Sequence, residues 1–437
     1  MSSTRYGVIA GCLTTAVYLV GSGRAFSLDS AITFANFVAT PSLREVFGGR
    51  TAIEHSMRSQ TGINDHVLVS LLSHIIWMAT GSHSEWLYRV LPAVAAGIAV
   101  GLVCAFLVRR FGLLAGLTAT VFMAADPLWV LNSRELRGYS LMVTFVLLAT
   151  GLLLRRRMTG LQVIAYGALM ALAIASHLMA GIVILIHLTY VAVVQRQRVL
   201  TLLPAWAGAT AVGLAFNFLA IQNALEVLGG LSKGQFQPDA PKEIVLFLLG
   251  APYPLAVAFW IIMVGVGAIT LRHTSWFRAE ALMLVSLVAV LWLLVHPTWL
   301  FARFFLYLVP AAAYLVAAAI RTRPRLAPLV LVGAAFAIAG QAPIYTSDEY
   351  AFRQAAGVIE DAHAAGKRAC VFDGDSTVIL AYARDFTIVD TSAQLPACDL
   401  VVITAWNVEP PLLRAAPPLF PHTRLLRAQI NTLVLTK

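Results

Sequence analysis

Residues 131–141 read LNSRELRGYSL. The stretch lies between two long apolar runs. Asn132, Arg134, Glu135 and Arg137 crowd it with polar and charged groups, in a chain where only 12% of residues are charged. Charge at membrane depth is expensive and tends to mark a site, although at a helix mouth a water-filled cavity can hydrate it. The residues admit two readings. Glu135 and Arg137 form a local ion pair that closes the turn between two helices, or the Ser-x-Glu-x-Arg-x-Tyr cluster is one wall of a site at the membrane surface.

The runs on either side establish that there is a membrane. The 437 residues are 59% hydrophobic, with a mean hydropathy of +0.80, against about 45–50% apolar residues in a soluble globular protein. Many windows reach the roughly 17–25 apolar residues that carry a helix across about 30 Å of hydrocarbon. Transmembrane strands would be shorter and alternating, which excludes a β-barrel. The net charge of +10 sits mostly in short basic runs at helix ends, where it sets topology. No nucleic-acid module is present. The N-terminal YGVIAGCLTTAVYLVGSG reads as an uncleaved first helix, because no small-x-small cleavage site is followed by a soluble domain.

Apolar runs place about 11 transmembrane helices, near 6–22, 90–108, 112–131, 139–154, 161–176, 179–195, 199–221, 246–271, 280–295, 299–320 and 326–342. The segment 67–80, short and carrying His74, is expected to lie at the interface. With the N-terminus in the cytoplasm, the Arg clusters at 109–110, 155–157, 196–198, 272–278 and 321–325 then all fall inside. The first outer loop (23–89), the SRELRGY turn, the loop 222–243, HPTWLFAR (296–303) and the C-terminal tail all fall outside. The charges that topology does not need are gathered on that outer face.

From about Tyr345 the composition changes. An amphipathic helix, DEYAFRQAAGVIEDAHAAGKR, is followed by strand-like ACVFDG, FTIVD, CDLVVITAW and TLVLTK and a helix-like STVILAYAR. This alternation predicts a small α/β domain over 344–437, outside the membrane and after a transmembrane module over 1–343. Cys12 and Cys104 fall in apolar helices. Cys370 and Cys398 fall in the α/β tail and would pair if that tail meets an oxidising compartment; spacing alone leaves the pairing open. The Ala- and Arg-rich composition suggests a bacterium, so "outside" would be the periplasm and the membrane the inner one.

Taken in order, these features resemble the GT-C membrane glycosyltransferases. The likeness is to the branch related to protein O-mannosyltransferases and bacterial lipid A sugar transferases (glycosyltransferase family 39-like). Ser133, Glu135, Arg137 and Tyr139 match its S-x-E-x-R-x-Y turn. Asp29 in FSLDSAITFANF follows helix 1 where the family places an acidic catalytic residue. The interfacial segment leading through YRVLPAV to RRFG, and ARFFLYLVPAAAYLVAA (302–318), match later stretches, so the likeness covers roughly residues 1–340. The sequence departs from the pattern in two places. NDHVL lacks the prolines that often precede the interfacial helix, and Ser30 stands where a second acidic residue often follows the first.

The resemblance implies a polyprenyl-phosphate sugar donor, a lipid, glycan or protein acceptor, and transfer on the outer face with inversion at the sugar. The chemistry asks for a base to take the acceptor hydroxyl proton and for positive charge on the phosphate that leaves. Asp29 is the first candidate base and Asp65 the second, as base or acceptor ligand. Each would otherwise be a helix cap. Arg137 and Arg303 are candidates for the donor phosphate through fork-like hydrogen bonds, against interfacial snorkelling for Arg303. Tyr139 would add a hydrogen bond or serve as an interfacial aromatic. Glu135 and His66 would support them. His55, His66, His74 and His296 share the outer side without the close spacing of a metal site, so no metal and no cofactor is expected. His177 and His187 read as packing or helix-end residues. The main rival is a lipid-linked sugar flippase, which predicts polar residues at mid-helix; His187 and Asn217 come nearest to that.

Overall fold

The computed structural model describes residues 2–48, 66–155, 157–222, 254–272, 303, 306–346, 348, 351–372, 379, 381–383, 385–389, 392–404, 419–426 and 432–437. Most of them are helical, because a backbone in hydrocarbon has to satisfy its own hydrogen bonds. The helices are α1 (Ser3–Leu19), α2 (Leu28–Thr33, continuing into a π-helical turn Phe34–Val38), α3 (Leu43–Gly48), α4 (Val67–Thr80), α5 (Glu85–Phe111), α6 (Leu113–Ala125), α7 (Pro127–Ser133) and α8 (Tyr139–Leu153). They continue with α9 (Gly160–Ser176), α10 (Ala180–Val194), α11 (Val199–Phe216), α12 (Pro254–Leu271), α13 (Leu308–Thr322), α14 (Ala327–Gly340), α15 (Ala342–Thr346) and α16 (Phe352–Ala364).

Two helical stretches, Glu85–Phe111 and Arg196–Phe216, are long and apolar enough to cross a membrane outright, and α6 with α7 makes a third if that bent pair is one span. Seven other apolar helices among the described residues are shorter, at 10–17 residues. The expected helix over 280–295 lies outside the described residues, as does the start of the one placed at 246–271. The continuous helix expected over 112–131 is broken. Asp126-Pro127 ends α6 and starts α7 at 61° to it. Proline cannot continue the helix but suits its first turn, and Asp126 caps α7 by accepting from Trp129 N at 2.9 Å. The segment over 67–80 is a single helix, α4, whose exposed side carries Ile75 and Met78.

α1 lies against α5 through glycines. A Cβ added at Gly11 would sit 2.8 Å from the Gly97 carbonyl oxygen, and one at Gly101 would sit 2.7 Å from that of Gly7. Small residues at such crossings let two backbones approach in lipid. Gly97→Leu should therefore lower stability by about 1–3 kcal/mol, read as a lower thermal midpoint in detergent. Of the two free cysteines, Cys104 is buried and Cys12 is exposed on α1.

A chain of hydrogen bonds joins four helices across their interior. Trp206 Nε1 donates to Tyr166 Oη (2.8 Å), Tyr166 Oη meets His187 Nδ1 (2.9 Å), and His187 Nε2 meets Thr150 Oγ1 (3.1 Å). Thr150 Oγ1 donates in turn to Val146 O at 2.7 Å. Thr150 thereby spends its one hydroxyl hydrogen and can only accept from His187, which carries its proton on Nε2. Asn217 Nδ2 is likewise held, by Gly213 O at 2.8 Å and Ile174 O at 3.2 Å. His187 is thus fixed to neighbouring helices, whereas Asn217 caps the end of α11, which stops at Phe216 and not at 221, and is held by its own helix and by α9.

The C-terminal region is a small mixed sheet with α16 packed on it. Its strands, β1 (Ala369–Phe372), β2 (Thr387–Val389), β3 (Leu400–Thr404), β4 (His422–Leu426) and β5 (Thr432–Thr436), lie in the order β2-β1-β3-β5-β4. The β1 contacts are parallel and the β5 contacts antiparallel. β4, HTRLL, is not expected from the sequence, since its apolar residues do not alternate. Cys370 and Cys398 form a disulfide. One apolar core runs from Phe26, Phe34 and Tyr88 to Phe352, Ala355, Ile379 and Val402 in the sheet region.

Candidate active site

Asp29 stands in the first turn of α2. The helix starts here because Ser27 adopts extended backbone and its Oγ accepts from Ser30 N at 3.3 Å, a side-chain cap. Asp29 thus belongs to a helix start, but its carboxylate faces other elements. Arg137 Nη2 lies 2.9 Å from Asp29 Oδ1, and Arg303 Nη1 lies 2.7 Å from Asp29 Oδ2. One carboxylate, two-thirds covered at 33% exposure, is flanked by two guanidiniums, Arg137 at 15% and Arg303 at 31% exposure. The three residues come from far-apart parts of the chain and meet at one point.

Glu135 fixes the turn that delivers Arg137. Both Ser27 Oγ and Ser30 Oγ donate to Glu135 Oε2, and Ser30 Oγ accepts from Leu136 N at 3.0 Å. This explains the departure at Ser30. A second carboxylate there would face Glu135 and repel it, whereas a hydroxyl donates to it and ties α2 to the turn.

Behind the turn lies a cluster of rings. His66 packs on Tyr139 at 4.9 Å and on His177 at 4.8 Å, with Tyr139 and His177 4.7 Å apart. Gly138 N donates to His66 Nδ1 at 3.2 Å, and His177 Nδ1 accepts from Met179 N at 3.1 Å in keeping with a helix-end role. His66 and Tyr139 are buried, Tyr139 at 1% exposure. Asp65 lies outside the described residues. The structure therefore joins Asp29, Arg137 and Arg303 directly, links Glu135 through two serines, and sets His66 and Tyr139 one layer back. Among the described residues, no three His, Cys, Asp or Glu converge as a metal site would require.

The segment between α1 and α2 carries further residues that spacing does not reveal. Gly21 has φ +66°, and an added Cβ there would strike the Tyr345 carbonyl. Arg134 donates from Nη2 to Val20 O at 2.7 Å and lies over the Tyr345 ring, 4.0 Å from its centre. Burial, followed by the neighbouring Arg134 and Arg89 charges, brings Arg24 down to about 10, so it stays charged at neutral pH. Burial pushes the Tyr382 hydroxyl well above its ordinary value and keeps it neutral.

Among solved structures, the chain is similar to ArnT from Cupriavidus metallidurans. In the apo state that protein superposes with a TM-score of 0.61 at 12% identity, over 98% of this chain and 96% of the other. The same protein bound to undecaprenyl phosphate gives a TM-score of 0.59 at 13% identity, over 98% and 97%. No protein-family model matches the sequence, and no curated protein matches it. The likeness is one of fold along the whole chain.

Proposed function

We propose that the protein is an integral membrane glycosyltransferase that moves a sugar from a polyprenyl-phosphate donor to a lipid, glycan or protein acceptor on the outer face of the membrane. The observation that carries this is the Asp29 carboxylate set between Arg137 and Arg303, in a fold whose ArnT neighbour has been solved with undecaprenyl phosphate. Asp29 accepts the proton of the acceptor hydroxyl, whose oxygen attacks the anomeric carbon. The bond from that carbon to the phosphate oxygen breaks, and the phosphate leaves with the electron pair. Each guanidinium has five N–H donors, more than one carboxylate oxygen can use, so the pair that orients Asp29 also receives the charge growing on the phosphate. Transfer is a single in-line displacement with inversion. A product anomer matching the donor anomer would contradict this. Asp65 remains the alternative base or acceptor ligand. Glu135 and His66 hold the turn, and Tyr139 is the phosphate contact that burial favours least.

About 11 helices then cross the inner membrane, with the N-terminus in the cytoplasm and residues 344–437 as a periplasmic α/β domain packed on the membrane module. The Cys370–Cys398 disulfide supports that side, since such bonds persist in oxidising compartments. The flippase alternative loses its support in His187 and Asn217, which are committed to helix–helix hydrogen bonds. No metal or cofactor enters the scheme.

Binding of undecaprenyl phosphate to the purified protein tests the anion role directly. Arg137→Ala and Arg303→Ala should each weaken it about tenfold or more, as the loss of a charge-assisted hydrogen bond implies. Native mass spectrometry or fluorescence titration would show this. Unchanged affinity in both variants would take the phosphate away from this pair.

A further inference from the structure

Six successive carbonyls between α1 and α2 are each held by a guanidinium. Arg134 donates to Val20 O, Arg24 to Gly21 O, Arg89 to Ser22 O, Arg353 to Gly23 O, and Arg89 again to Arg24 O and Ala25 O, at 2.6–3.0 Å. The next two amides are taken by the C-terminal region. Ala25 N donates to Asp348 Oδ1 at 2.8 Å, and Phe26 N donates to Tyr382 Oη at 2.6 Å. Ser27, the cap of α2, follows at once, and Asp29 lies two residues further on.

This segment carries no regular ladder, so its shape comes from its side-chain partners. Arg89 comes from α5 and Arg134 from the SRELRGY turn. Asp348, Arg353 and Tyr382 come from beyond residue 344. Arg353 is anchored by Glu85, which is buried at 7% side-chain exposure and accepts from Nε at 3.1 Å. His83 Nδ1 lies 3.2 Å from Ala381 O, and the Tyr382 ring lies 6.2 Å from that of Phe26. The apolar core is continuous across the same boundary. The C-terminal region thus grips the backbone three residues before the proposed base. A carboxylate at the start of a short helix is only as well placed as the chain that leads into it, and misplacement by about 1 Å can cost about a hundredfold in rate.

We propose that the C-terminal region positions the Asp29 carboxylate between Arg137 and Arg303, with Tyr382 and Asp348 as its positioning residues. This rests on the glycosyltransferase reading for its catalytic meaning and on the hydrogen bonds above for its mechanics. Neither residue touches the reacting atoms; each acts through the backbone of residues 25–29.

The test uses the full-length protein in lipid nanodiscs, with amide exchange and steady-state turnover measured side by side. Tyr382→Phe keeps the ring on Phe26 and removes only the hydroxyl. It should speed exchange of the amides over 25–31 about tenfold and lower kcat about tenfold, with the donor KM within about twofold of wild type. Asp348→Ala should do the same. Asp348→Asn keeps the accepting oxygen without the charge and should stay close to wild type, which a purely electrostatic role would not allow. Lys367→Ala, an exposed change in the same region, should alter neither quantity. Unchanged exchange in both Tyr382→Phe and Asp348→Ala overturns the proposal. Faster exchange with unaltered kcat overturns it too, because the grip would then not set the carboxylate. If the wild type transfers no sugar, the glycosyltransferase reading falls and the exchange result decides alone. Loosening that spreads from Phe26 to the Asp29 turn supports a positioning domain, and its absence refutes one.

Discussion

Asp29→Asn is expected to lower sugar transfer by about 10²-fold or more while leaving the protein folded and able to bind lipid phosphate. Asparagine keeps the size and one accepting oxygen, so one of Arg137 and Arg303, which hold different oxygens of Asp29, retains its partner while the amide NH2 faces the other. What is lost is a group that can take the acceptor proton, and general base catalysis is worth about 10²–10⁴. The effect should fall on kcat, since the acceptor hydroxyl is still met by a polar side chain. Asp65→Asn provides the contrast. If Asp29→Asn turns over normally and Asp65→Asn does not, the base is Asp65, and Asp29 serves only to space the two guanidiniums.

Gly138→Ala should be nearly as damaging, for a steric reason. Gly138 lies between Arg137 and Tyr139, and a Cβ there would fall on the Ser176 carbonyl oxygen, well under 3.0 Å, and 3.1 Å from His66 Nδ1. The first of these atoms is backbone and cannot swing away, so the turn itself has to move. Overpacking of this kind costs about 1–3 kcal/mol in stability. Displacing Arg137 from Asp29 by about 1 Å would cost about a hundredfold in turnover. Gly151→Ala in α8 is the matched control: an added methyl meets nothing within 4 Å and should be neutral or stabilising by up to about 1 kcal/mol. Equal activity in the two variants would show that the turn tolerates movement.

Much of this arrangement is legible in the sequence, and the parts that are not share a cause. Apolar periodicity locates the helices because each has to satisfy its backbone within itself, and α4, α8, α9 and α10 fall within a residue or two of their expected limits. The break at Asp126-Pro127 is written in two residues, a cap and a helix breaker, yet a hydropathy window averages over both. Asp29, Arg137 and Arg303 stand out because charge is rare in this chain, and the structure brings all three to one point. Glu135 is a different case. Its neighbour in sequence is Arg137, whereas its hydroxyl donors are Ser27 and Ser30, more than a hundred residues away. Small hydroxyl residues carry no periodicity or charge that would single them out. The same holds for Tyr382 and Asp348, which act on backbone amides of residues 25 and 26, a contact that leaves no pattern in side-chain spacing. The pairing of Cys370 with Cys398 needed the sheet. Cys370 lies in β1 and Cys398 just before β3, its parallel neighbour, so strand order brings together what spacing leaves open.

The most direct test follows the sugar itself. The purified protein is reconstituted in liposomes with a polyprenyl-phosphate sugar labelled in the sugar, together with candidate lipid, glycan and peptide acceptors. The label is then traced with time in wild type and Asp29→Asn. In wild type the label is expected to leave the lipid and appear on an acceptor, with free polyprenyl phosphate accumulating, and Asp29→Asn should slow this about a hundredfold or more. Label that stays on the polyprenyl phosphate while the lipid moves from one leaflet to the other would contradict it and show a flippase.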